Sequence, residues 1–269
     1  MFTTEEKAEF LQREPAAEPF FRRWIGADEF INGYERWCLW LGNCPPQQLR
    51  AMPEAMKRVE AVRAERLASK SPPTQRLADT PTRFHVENMP AGEYLVLPEV
   101  SSERRPFIPI GYEPPETMAS NLLKVMPNAT RYHFGALTST MHMAWVRAVC
   151  GRLESRYRYS KDIVYNNFPW PSSTDTQRTA IEGAAQGVLD ARAAHAGASL
   201  ADLYDPLTMP SDLVRAHQVL DRAVDAAYGY KGAPTDAARV AFLFGLYQQL
   251  TSLLPAEKPK KRRATASPP

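Results

Sequence analysis

Beyond Ser172 the sequence carries helical periodicity alone, whereas residues 1–171 are cut by proline, glycine and asparagine into mostly short segments of mixed character. That change of pattern rules out a uniform helix bundle. The 24 prolines in 269 residues are nearly double the usual share of about 5% and favour irregular connections between short elements. The expected fold class is therefore α+β. A mixed α/β region occupies 1–171, with 1–80 a mainly helical entry segment and 81–171 mixed α/β. A helical domain follows over 172–254, and the Lys- and Arg-rich tail 255–269 lacks apolar periodicity and is expected to be disordered.

Local signals place the elements. Thr3 and Glu6 have capping-box spacing and start a helix; a second is expected from Ala16 to Trp24, and a long charged one from Pro53 to Ser69. RWCLWL at Arg36–Leu41 reads as a buried strand. Between Phe84 and Val125, FHVE, EYLVLPEV, PFIPIGY and LLKVM read as short strands. From His133 to Val149 the residues Phe134, Leu137, Met141, Trp145 and Ala148 form one apolar stripe, expected to be core. RLESRYRY and DIVYNN are the last strand candidates. Helices are then expected at Asp175–Ala196, Ser211–Tyr228 and Thr235–Leu254. Leu213, Ala216, Leu220, Ala223 and Ala227 line the second, and Val240, Leu243, Phe244, Tyr247 and Leu250 the third.

The segment with most chemical content is Gly151–Pro171, GRLESRYRYSKDIVYNNFPWP. If Arg152–Tyr159 is one strand, Arg152, Glu154, Arg156 and Arg158 share a face, and Leu153, Ser155, Tyr157 and Tyr159 share the other. A carboxylate beside guanidinium forks suits base edges: Glu accepts from a cytosine amine and Arg donates to the acceptor edge of guanine. The same alternation also suits a solvated strand with cross-strand ion pairs. A net charge of +3 does not decide between them, because for nucleic-acid binding the clustering of basic residues matters more than their sum.

Other chemistries find no support in the sequence. Cys38, Cys44 and Cys150 form no CxxC pair, and the five histidines lack metal-ligand spacing, so neither a disulfide nor a metal site is expected. The acidic start MFTTEEKAEFLQREP is unlike a secretory leader, and no run of eighteen apolar residues exists; a cytoplasmic protein without membrane insertion is expected. No glycine-rich cofactor turn, P-loop, nucleophile elbow or metal-nuclease cluster is visible. Asn43-Cys44-Pro45-Pro46 and Asn167-Phe168-Pro169-Trp170 only approximate the Asn-Pro-Pro-aromatic motif that holds a flipped base amine.

Four blocks carry a family resemblance: FINGYERWCLWL, PEVSSERRPFIPIGY, ATRYHFGALTSTMHMAWVRAVCGRLESRYRYSKDIVYNNFPWP and LYDPLTMPSDLVRAHQVLDRAVDAAYG. Together they resemble the C-terminal portion of MmeI-like type IIL restriction-modification enzymes. In that family one polypeptide joins a nuclease, a helical connector, an adenine-amino methyltransferase, a target recognition domain and a terminal helical domain; this chain looks like the last two. The resemblance implies that Glu154 and Arg156 face one base pair, Arg158 with Leu122 a second, and Glu99 with Asn121 a third. Arg104, Arg105, Arg152 and Lys161 are then phosphate contacts, which position without specifying. It implies duplex DNA as partner, a methyltransferase core in cis or in trans, and S-adenosylmethionine on that core, with no cofactor in this chain. The alternatives are a protein interaction scaffold, a non-functional remnant of such an enzyme, or an intact but divergent enzyme.

Overall fold

The computed structural model describes residues 1–252. Helix α1 (Thr4–Arg13) starts as its capping box requires: Thr3 Oγ1 accepts from the Glu6 N–H at 3.2 Å, and the Glu6 carboxylate accepts from the Thr3 N–H at 2.8 Å. The second helix expected over Ala16–Trp24 does not form. A 3-10 turn (Pro15–Phe20) leads into strand β1 (Phe21–Ile25), because Pro19 lacks the donor that a longer helix needs and β1 finds partners on both edges. Phe2, Phe10 and Phe21 meet edge to face with centroids 5.0–5.8 Å apart, so β1 is also held from α1.

Helix α2 (Ala27–Asn32) ends at Gly33, whose φ of 73° lets the chain reverse into β2 (Trp37–Leu39). Helices α3 (Pro46–Arg50), α4 (Pro53–Ala68) and α5 (Pro72–Arg76) complete the entry segment, the last running into a 3-10 turn at Leu77–Asp79. Its apolar cluster, including Phe2, Phe10, Phe21, Met52 and Val59, is separate from the main core.

The strands of the middle region are β3 (Tyr94–Pro98), β4 (Val100–Ser101), β5 (Gly111–Glu113), β6 (Thr117–Ala119) and β7 (Leu123–Pro127). They build three small sheets: β2-β1-β6, with β1 and β6 parallel; β5-β3-β7, antiparallel; and β4 joined to two strands, β8 and β9, that come later in the chain. FHVE forms no strand, and its neighbourhood contributes only an isolated bridge from Asn88 to Ala119. PFIPIGY is extended only at its end, where β5 starts.

The stripe expected as one helix over His133–Val149 is two helices, α6 (Arg131–Leu137) and α7 (Thr140–Val149). Ser139 makes the break: its hydroxyl accepts from the His142 N–H at 3.2 Å and donates to the Ala136 carbonyl at 2.7 Å, capping α7. Phe134, Leu137, Met141 and Trp145 are buried, but the new helical phase leaves Ala148 exposed. RLESRYRY is likewise not one strand. It is a hairpin of β8 (Gly151–Leu153) and β9 (Arg156–Arg158), and DIVYNN lies in a π-helical turn (Lys161–Tyr165) and the residues after it.

Helices α8 (Asp175–Ala193), α9 (Leu200–Leu203), α10 (Ser211–Tyr228) and α11 (Asp236–Thr251) finish the described chain. The last two residues of the helix expected to reach Leu254, and the basic tail, lie outside the described residues. One apolar core runs from Leu95 and Leu97 of β3 through Phe134 and Trp145 to Leu213, Leu220 and Leu243. Gly135 lets this happen. A Cβ there would lie 2.8 Å from Ile181, 3.1 Å from Ala185 and 3.2 Å from Leu220, so only glycine allows α6 to reach α8 and α10. The fold is α+β, with the C-terminal helices packed onto the same core as the middle strands.

Candidate nucleic-acid interface

The β8–β9 hairpin pairs Gly151 with Arg158, Arg152 with Tyr157 and Leu153 with Arg156, leaving Glu154 and Ser155 as a two-residue loop. Residues directly opposite one another in an antiparallel pair share a face. The faces therefore differ from those of a single strand. Arg156, Arg158, Leu153 and Gly151 lie on one side, together with Val100 of β4; Arg152, Tyr157 and Ser101 lie on the other. Glu154 sits at the turn with φ of 57°.

Arg152 is thus removed from the row expected at 152, 154, 156 and 158. Its guanidinium lies 4.1 Å over the Tyr157 ring and donates to the Ser155 carbonyl at 3.1 Å, bracing the turn. Glu154 and Arg156 stay together, with Arg156 Nη2 2.7 Å from Glu154 Oε2 across the tip of the hairpin. Both are exposed, at 77% and 46% of their side chains. An ion pair in solvent contributes at most about 1 kcal/mol, so either partner can turn to another ligand at little cost.

Glu99 sits where the chain passes from β3 to β4, and so from one sheet to the next. Its N–H donates to the Leu122 carbonyl at 3.0 Å, and its carbonyl accepts from the Tyr159 N–H at 2.6 Å. The carboxylate accepts from Lys124 Nζ at 2.7 Å on one oxygen and from Arg158 Nε at 3.3 Å on the other. Burial opposes its ionisation, but the hydrogen bonds and charges of Lys124 and Arg158 outweigh that and hold its carboxyl below the usual carboxylate range. Three expected positions, Glu99, Leu122 and Arg158, are therefore joined. Lys124 is a fourth that sequence reading missed; at β7 it pairs in register with Leu97, and nothing local marks it.

Two adjoining clefts frame this junction. One, of about 540 Å³, has Glu99, Lys124, Arg158 and Lys161 on its walls; the other, of about 430 Å³, has Asn121, Lys124 and Lys161 at a largely apolar lining that includes Leu95, Leu97 and Tyr159. Asn121 and Leu122 form the exposed turn between β6 and β7. Lys161 opens the π-helical turn and is 66% exposed, near Asp162 at 3.7 Å. Arg104 is exposed in the loop after β4. Arg105 is not comparable: it is half-buried, and burial lowers its pKa against the opposing charge of Asp205.

The ribbon is anchored from below. Tyr157 and Tyr159 are buried, and Tyr159 meets His142 Nε2 at 3.0 Å. His142 Nδ1 faces the Leu137 carbonyl at 2.8 Å, an acceptor, so Nδ1 carries the proton and the Tyr159 hydroxyl donates to Nε2. Trp145 Nε1 donates to the Val164 carbonyl at 3.0 Å and fixes the turn that carries Lys161. Asn167, one of the near-motif residues, donates to the carbonyls of Asp162 and Ile163 and accepts from Tyr247. Its amide is used structurally.

A two-stranded ribbon of this kind is one that the major groove of B-DNA admits. Alternate residues of a strand are about 6.8 Å apart, which is two steps of the roughly 3.4 Å rise along one DNA strand. Arg156 and Arg158 thus have the spacing to meet different base pairs. Among the described residues there is no group of three or more His, Cys, Asp or Glu placed to hold a metal ion, and no helix long and apolar enough to cross a membrane.

Residues 1–172 match the family of the MmeI target recognition domain, and residues 173–255 that of the MmeI C-terminal domain. A curated relative, DNA methyltransferase A of Bacillus subtilis (strain 168), is 39% identical over 251 residues, covering 93% of this chain and 28% of that protein. A solved structure of the type IIL restriction-modification enzyme MmeI in complex with DNA is 51% identical with a TM-score of 0.92, covering 94% of this chain and 34% of the other. The chain spans about a third or less of the length of these proteins.

Proposed function

The chain belongs to the MmeI family, and we propose that it is the sequence-reading portion of a restriction-modification DNA methyltransferase, working with a catalytic core in cis or in trans. The observation that carries this reading is the β8–β9 ribbon, which presents Glu154, Arg156 and Arg158 to solvent from a buried tyrosine anchor. The structural relative's complex with DNA supports the choice of partner. Adenine amino-group methylation, and S-adenosylmethionine with it, belong in this reading to the core; the sequence has no glycine-rich turn to cradle that cofactor.

The residues divide by reach. Glu154 and Arg156 serve one base pair, as acceptor for a cytosine amine and donor to guanine. Arg158 with Leu122 serves a second, and Glu99 with Asn121 a third. Lys161 and Arg104 serve phosphates. Arg152 and Arg105 take the same role, Arg152 while also bracing the ribbon through the Tyr157 ring and the Ser155 carbonyl, and Arg105 from a half-buried position.

Selection of bound duplexes from a randomised pool, followed by sequencing, tests the reading. Exchange of Glu154→Lys together with Arg156→Asp redirects the preference at one base pair, by the roughly 1–3 kcal/mol that a mismatch costs. Lys161→Ala weakens binding to all sequences alike and lowers the salt slope by about one phosphate contact. A double exchange that leaves the preferred sequence unchanged, or that abolishes binding in a folded protein, overturns the assignment.

A further inference from the structure

We infer that Lys124 is a further specificity-determining residue, acting through Glu99, and that the base pairs faced by Glu99 and by Arg158 are read as one coupled unit. This rests on the DNA-reading function proposed above and adds a constraint on it. Independent recognition positions need side chains that can be exchanged singly. Glu99 is not such a side chain. Only 15% of it is exposed, each carboxylate oxygen holds a cation, and both of its backbone groups are bonded to neighbouring strands or turns.

The coupling follows from what each group would do alone. Arg158 is 60% exposed and can swing, so the bond from its Nε to Glu99 is what sets the direction of its fork. Glu99 in turn has one oxygen drawn toward Lys124 on β7 and the other toward Arg158 on β9. If Lys124 is removed, a largely buried anion loses one of its two cations and turns toward Arg158, which then offers a different edge. If Glu99 is neutralised, Lys124 and Arg158 both lose the negative charge between them and two cations face the same cleft. Lys124 is a positioning residue here, with no base contact required of it.

Selection from a randomised duplex pool, with thermal unfolding as a check on folding, tests this in the full chain. Lys124→Met is expected to change base preference by about tenfold at the same positions that Glu99→Gln changes, the scale of a single mismatch. The effects are non-additive: in Lys124→Met with Glu99→Gln the preference matches that of Glu99→Gln alone within about twofold. Lys124→Arg, which keeps the cation, restores the original preference. The inference is overturned if Lys124→Met weakens binding to every duplex by one factor with the preference intact, as a phosphate contact would. It is overturned equally if Glu99→Gln and Arg158→Gln act on separate base pairs with multiplying effects. If Lys124→Met does not fold, the Glu99→Gln and Arg158→Gln pair decides the coupling alone. A wild-type chain with no sequence preference overturns the functional reading itself, and this inference with it.

Discussion

At Gly135 three helices meet so closely that a methyl group would press on Ile181, Ala185 and Leu220, whereas at the hairpin tip Glu154 and Arg156 are joined by an exposed pair. The first region is specified by shape and the second by charge. Shape in a dense core tolerates little change, since overpacking commonly costs about 1–3 kcal/mol. Charge in solvent tolerates much, because exposed pairs contribute so little to stability. On the proposed reading the base-facing side chains can therefore be exchanged with little effect on the fold, with Tyr157 and Tyr159 connecting the two regions.

Acid should open the largest gap between the regions. Burial pushes the His142 ring down to about 4 and the His217 ring down to about 3, from an ordinary value of 6.5. With the folded value below the unfolded one, the unfolded chain takes protons first as pH falls. The stability these neutral rings contribute is complete above pH 6.5 and is lost on the way down through 4 and 3. At pH 5 each accounts for a loss of about 2 kcal/mol. Denaturant midpoints at pH 7 and pH 5, with hydrogen exchange, check this: a loss confined to the β8–β9 ribbon would break the contrast.

Smaller effects separate two glycines. Alanine in a helix interior normally gains about 1 kcal/mol over glycine. Gly187→Ala on α8 should show about 0.5–1 kcal/mol of that gain, because nothing beyond its chain neighbours and the local helix backbone lies within 4 Å of its Cβ position. Gly135→Ala should instead lose about 1–2 kcal/mol net, the close contacts outweighing propensity. Urea unfolding of both variants orders them, and equal signs would remove the argument for close packing at α6.

The smallest change in stability belongs to the hairpin. Glu154→Ala and Arg156→Ala should each shift unfolding by less than about 0.5 kcal/mol, as exposed sites away from caps and cores do. A loss above about 2 kcal/mol from either would make the pair structural and collapse the distinction.

What could be read from sequence alone followed the locality of each signal. The Thr3–Glu6 box and the span Ser211–Tyr228 matched the structure because caps and helical stripes are written within a few residues. Strand β1 was missed because its partners, β2 and β6, come later in the chain and override a helical reading of its residues. The hairpin was missed because neither Glu154 nor Ser155 is a strong turn signal of the Asn-Gly kind. For the site, alternation placed Arg156 and Arg158 together on an exposed face, but once the strand folded back Arg152 changed sides, Leu153 joined the Arg156 face and Glu154 moved into the turn. Lys124 was invisible, since it pairs with a residue 25 positions away at the junction between β3 and β4.

The left-handed backbone at Glu154 reaches further than the turn it makes. At φ of 57° a side chain other than glycine, asparagine or aspartate carries a conformational penalty on the order of 1 kcal/mol. Libraries randomised at this codon will therefore return a skewed alphabet: Asn, Asp and Gly will be enriched for folding alone, and β-branched residues depleted, before any duplex is offered. Selections for altered specificity need that background subtracted at 154, and need no such correction at 156.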